Sequence, residues 1–150
     1  WQAHYCRRLG LVYYYMGNYK KASEYYLQAY HKNKLTGYEE GTIKSICSYA
    51  YMELLSGNQE ATKKSLTECA EWLNNNPDKI NDDHDAYETY WPLHLYYNHI
   101  DNKIEAEKFL NLAYKSIRDN DIKKFHKNSN RNTSPKYFWH RDIIKAYEKN

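Results

Sequence analysis

A chain of 150 residues, 41% hydrophobic and 27% charged, can bury a sizeable core as one domain or a short repeat array. It has no apolar run near the roughly 18–20 residues of a membrane span, and its net charge of +3 is too small to mark a nucleic-acid binder. Cys6, Cys47 and Cys69 are odd in number and far apart, which excludes a disulfide framework and a CxxC metal site and leads us to expect a soluble protein of the reducing cytoplasm.

The chain opens Trp1-Gln2-Ala3-His4, with neither an initiator Met nor a signal peptide, and reads as a piece of a larger protein. Its 18 tyrosines fall in segments without apolar/polar alternation, which places them on helices. The first predicted pair of helices carries Cys6, Leu9, Gly10 and Tyr13, then a turn at Gly17-Asn18, then Ala22, Tyr26 and Ala29 at helical spacing. Thr36-x-x-Glu39 has the form of a capping box and is expected to start the next helix.

In the second pair Ile46, Tyr49 and Ala50 take the places of Cys6, Leu9 and Gly10. Gly57-Asn58 repeats the turn, and Thr62, Leu66 and Cys69 follow where Ala22, Tyr26 and Ala29 stood. Asn58 is placed to cap the second helix of the pair, and Asn74-Asn75-Asn76-Pro77 to stop it. A polar linker then leads to Asp85-x-x-Glu88, a second box-like start.

The third pair has Tyr90, Leu93, His94 and Tyr97, a turn at Asp101-Asn102, and Ala106, Leu110 and Ala113. Two departures stand out: His94 is large where a small residue is expected, and Pro92 lies inside a helix. Asn102-x-x-Glu105 supplies a cap and an acid for the last helix of the pair. Polar residues 127–134 predict a loop, and Ser134-Pro135 a final helix whose Phe138, Ile143, Ile144 and Tyr147 form an apolar face. Residues 121–150 hold eight Lys/Arg against three acids, a local charge of +5 that leaves −2 in residues 1–120.

Corresponding residues advance by 40 (Ala22 to Thr62) and then by 44 (Thr62 to Ala106). This pattern resembles the tetratricopeptide repeat, Trp-x2-Leu-Gly-x2-Tyr, a turn, then Ala-x3-Phe and another small residue, with Cys6 at the Trp position. The resemblance implies an all-α domain over residues 1–150. Three helix hairpins, roughly residues 3–36, 43–76 and 87–120, would form a right-handed superhelical stack, with residues 121–150 as a C-terminal capping segment. Extended repeats of this kind resemble those attached to bacterial signalling proteins.

In such arrays the first helices line a concave groove. Carried onto this chain, that implies His4, Arg7, Arg8, Leu11 and Tyr14 from the first copy, and Lys44, Cys47, Ser48, Tyr51 and Leu55 from the second. The third adds Glu88, Trp91, Leu95 and Asn98. Aromatic, aliphatic and cationic side chains together suit a protein or peptide with apolar anchors and acidic groups. Family members that clamp a C-terminal carboxylate use Lys and Asn where this chain has Arg7, Leu11, Tyr51, Trp91 and Leu95, so that clamp is not expected. A ladder of Asn that holds peptide backbones in other members is replaced by Arg8, Ser48 and Pro92.

Enzymatic motifs are absent: no GxxxxGK, GxSxG, HExxH or GxGxxG occurs. His94 and His99 are five residues apart, off the spacing of a helical zinc pair, and Asp82-Asp83-His84-Asp85 lacks the EF-hand rhythm. The expectation is a non-catalytic binding scaffold or sensor module, with no metal and no cofactor. One alternative is self-assembly through an exposed end of the stack. A lesser one is RNA binding, with Tyr14, Tyr51 and Trp91 stacking on bases, but the negative balance of residues 1–120 opposes phosphate tracking.

Overall fold

The computed structural model describes residues 1–77, 79–80, 86–125 and 138–150, with the backbone alone for 120–125 and 138. Seven α-helices account for nearly all of them, and no described residue lies in a strand. They are α1 (Gln2–Tyr15), α2 (Tyr19–Thr36), α3 (Glu39–Leu55), α4 (Gln59–Asn75), α5 (Tyr87–His99), α6 (Lys103–Phe125) and α7 (Phe138–Glu148). The chain divides into two compact units, residues 1–80 and 81–150. No described helix is long and apolar enough to cross a membrane.

Three turns of one design join α1 to α2, α3 to α4 and α5 to α6. Each first helix ends in a left-handed residue, Gly17 (φ 73°), Gly57 (φ 83°) or Asp101 (φ 57°). The next amide reaches back to a carbonyl of the last turn, Asn18 to Tyr13 at 2.9 Å, Asn58 to Glu53 at 2.8 Å and Asn102 to Tyr97 at 2.9 Å. That same Asn then caps the second helix, its Oδ1 accepting from the amide of Lys21, Ala61 or Glu105. The reversal and the new helix start therefore come from two adjacent residues. Glycine meets the positive φ without a Cβ clash, and Asp tolerates it less well.

Behind each turn the same layer is buried. Ala22, Thr62 and Ala106 open it, Tyr26, Leu66 and Leu110 fill it, and Ala29, Cys69 and Ala113 close it. The first helix approaches this layer in three ways. A Cβ on Gly10 would stand 3.0 Å from the Tyr26 ring. Thr62 Oγ1 donates to the Ala50 carbonyl at 3.3 Å. His94 Nδ1 lies 2.8 Å from the Ala106 carbonyl, which it meets as a donor. The large His94 is thus tied to the helix it faces, and its ring stacks on Trp91 with centroids 5.1 Å apart.

In the first unit α2 packs against both α1 and α3, and α4 packs on α3. Polar contacts stitch the two hairpins together. Ser23 donates to Glu53, whose other oxygen accepts from Asn58 Nδ2 at 2.7 Å. Asn33 Nδ2 donates to Ser45 Oγ at 3.2 Å, and Ser45 passes its own proton to the Gly41 carbonyl at 2.7 Å. Lys34 donates to the Tyr30 hydroxyl at 3.0 Å, and Tyr30 to Glu68 at 3.3 Å. Asn33 and Ser45 are buried with partners, as buried polar groups must be to avoid a desolvation penalty.

In the second unit α5 and α6 pair, and α7 packs on α6 and reaches α5. Phe109 lies parallel to Tyr97 at 5.5 Å, and Tyr114 parallel to Tyr147 at 3.7 Å. The first amide of α5, that of Tyr87, donates to Ser116 Oγ of α6 at 3.1 Å. The helix runs unbroken through the buried Pro92, which forgoes one backbone hydrogen bond. Ile143 is buried on α7 and Ile144 half-buried, and Trp139 and His140 are buried beside them.

One boundary needs correction. Thr36 does not begin a helix: it is the last residue of α2, its hydroxyl bonded to the Lys32 and Asn33 carbonyls, and left-handed Gly37 ends the helix. The α3 helix starts at Glu39 without a side-chain cap. Ser and Thr hydroxyls bond backwards along a helix as readily as they cap one forwards, so spacing alone does not separate the two. The expected start at Asp85, the 127–134 loop and the Ser134-Pro135 start lie outside the described residues.

Candidate peptide-binding surface

Two first helices of the first unit, α1 and α3, come together through aromatic rings. Tyr14 and Tyr51 have centroids 5.9 Å apart at 50°, and Tyr14 also meets Tyr19 at 6.0 Å. All three rings are half-buried, packed on a core of Ala22, Tyr26 and Met52. An aromatic ring held this way keeps one face on the core and leaves part of its surface for a ligand. Beside this patch Tyr13 stacks on Tyr25 at 5.3 Å, with the Lys21 ammonium 4.9 Å from the Tyr13 ring.

Cations flank the rings on α1. Arg8 is exposed and its Nε donates to His4 Nε2 at 3.4 Å; Arg7 and Leu11 are half-buried. A guanidinium so placed is suited to a carboxylate, which it can hold with two parallel bonds.

Not every residue expected on the groove faces outward. Lys44, Cys47 and Ser48 are buried, so these three offer no surface to a ligand. Cys69 is pushed well above the usual thiol range, first by burial and then by the neighbouring Cys47. A neutral, buried thiol is a packing group and a poor nucleophile. Leu55 is exposed at the end of α3.

In the second unit Trp91 is buried against His94, while Leu95 and Glu88 are half-buried and Asn98 exposed. Burial holds the His94 imidazole below its ordinary 6.5, partly opposed by its bond to the Ala106 carbonyl. The ring is therefore neutral at pH 7 and acts as a donor within the hairpin.

Tyr13, Tyr19, Lys21 and Tyr25 join the aromatic patch although their residues do not belong to the first-helix set. The tight turn at Gly17-Asn18 folds Tyr19 back beside Tyr14, and a run of Tyr on both sides of that turn was the available signal. Burial also raises the Tyr26, Tyr49 and Tyr90 phenols, with Glu53 adding to the effect at Tyr49, so these rings stay uncharged. Among the described residues no group of three or more His, Cys, Asp or Glu is placed to hold a metal ion. No family model, curated protein or solved structure matches the chain.

Proposed function

We propose that this protein is a non-catalytic interaction module built from tetratricopeptide-like hairpins, which holds a protein or peptide through apolar anchors and acidic groups. The observation that carries the reading is the recurrence of one hairpin design: a left-handed residue, an Asn cap and the same buried small-large-small layer occur three times. Hairpins repeated in this way bury their apolar stripes against neighbours and present their first helices side by side. In this reading the three hairpins form a right-handed superhelical stack closed by the last helix, and the module works in the cytoplasm as part of a signalling protein.

Tyr14 and Tyr51 supply the apolar platform and Arg8 the cation for an acidic group. The test begins with a partner captured by cross-linking in the native cell and returned to equilibrium titration. Arg8→Glu with Tyr51→Ala should weaken its binding at least about tenfold, or roughly 1.4 kcal/mol, while circular dichroism stays that of the parent. Unchanged affinity in that folded variant rejects this surface.

A further inference from the structure

Burial sorts the described histidines by unit. His4 and His31 of the first unit are exposed, as is His99 at the end of α5. His94 and His140 are buried, and both lie in the second unit against rings of α5. His94 stacks on Trp91 with centroids 5.1 Å apart, and its Nδ1 meets the Ala106 carbonyl of α6 at 2.8 Å. His140 of α7 stands edge-on to Tyr87, the first residue of α5, at 4.6 Å and 82°. One imidazole is therefore enclosed where α5 meets α6, the other where α5 meets α7. At the places of His94 the first unit has Gly10 and Ala50, which do not titrate.

A neutral imidazole fits such a contact as a ring with one N–H to donate. A second proton makes it a cation, which in an enclosed place must be paired or returned to water. For His94 burial acts first and the Ala106 bond opposes it in part. Lys103, Glu105 and Glu107 lie near Ala106 on α6 and Glu88 one turn before Trp91 on α5, yet no charged group among the described residues adds to that balance. Beside the His140 contact are Glu88 on α5, Lys115 and Arg118 on α6, and Arg141 and Asp142 on α7 itself. Three cations against two acids supply no net negative charge for an imidazolium there.

We propose that the second unit is an acid-triggered switch: protonation of His94 and His140 parts α5 from α6 and α7, while the first unit keeps its fold. Because His94 is held below 6.5, the parted form binds the proton more tightly, and falling pH favours it. Each imidazole released to its ordinary value adds at most about tenfold to the parted population near pH 5.5. Trp91, buried in the closed form, becomes accessible in acid, so the switch exposes an aromatic anchor of the second hairpin. The device needs only burial and the contacts above, and stands whether or not the hairpins bind a peptide.

Amide exchange of the full chain, read by mass spectrometry at about pH 7.5 and about pH 5.5 and corrected for intrinsic rates, tests it. Protection over α5 and residues 103–119 of α6 should fall at least about tenfold in acid, against less than about twofold over α1 to α4. His94→Leu with His140→Phe should abolish the fall. If that variant is already unprotected at neutral pH, His94→Gln decides: it keeps a donor without a titratable ring and should shrink the fall at least about threefold. Equal loosening of both units, a second unit unmoved by acid, or a fall undiminished in the folded variant overturns the switch.

Discussion

The hairpins of the first unit and the hairpin of the second reach the same internal arrangement with different chemistry. In the first unit Gly10 and Ala50 let the helices approach because little stands between them, and Thr62 adds a hydrogen bond to the Ala50 carbonyl. In the second unit the corresponding His94 is large, yet its Nδ1 bonds to the carbonyl of Ala106, the residue it faces. The turns differ in the same sense, with Gly17 and Gly57 against Asp101 at positive φ. A repeat of this kind conserves a backbone geometry and a buried layer, and the residue that satisfies each place is negotiable within those limits.

The largest test of that equivalence is truncation of the layer's central residue. Leu66 and Leu110 are both almost fully buried, so Leu66→Ala and Leu110→Ala should each cost about 2–5 kcal/mol in denaturant unfolding. Losses of similar size sharpen the comparison; a loss at one site alone would show that the two layers are not equivalent.

A smaller effect separates the two solutions. Because His94 is held below 6.5 in the fold, the unfolded chain takes up its proton first as the pH falls. Its contribution is therefore complete above pH 6.5 and is lost as acid is added below that value. His94→Leu, which keeps the volume, should cost about 1 kcal/mol at pH 7 through the lost hydrogen bond. It should also flatten the acid-side fall of stability relative to the parent. Identical pH profiles for the two proteins would remove His94 from that role.

The smallest effect concerns the turns. Asp101→Gly should stabilise by about 0.5 kcal/mol, because Gly relieves the left-handed strain while adding chain entropy to the unfolded state. Gly57→Ala should cost about 1 kcal/mol for the converse reason. Thermal melts of the pair with opposite signs confirm that the turns are alternatives for one geometry, and shifts of the same sign would break the analogy.

Much of this was legible along the chain because turns and caps are local. Gly17, Gly57, Asn58 and Asn102 act within four or five residues of themselves, and Asn75-Asn76-Pro77 ends α4 where its composition says it should. Thr36 misled because one hydroxyl serves a helix end and a helix start equally well. The candidate surface was half legible: Tyr14 and Tyr51 meet, but Lys44, Cys47 and Ser48 point into the molecule. Transfer by position along a first helix selects a face only to within a residue or two, which is enough to turn a side chain inward.

Residue order alone determined that this chain makes helices in pairs, where they reverse, and which small and large residues recur. These follow from backbone conformational preference and from periodicity, both readable over a few residues. Tertiary structure decided which polar groups are buried with partners, how His94 replaces a small residue, and where His140 is enclosed. Those outcomes depend on atoms far apart in sequence competing for the same space and the same hydrogen bonds, and no local rule contains that competition.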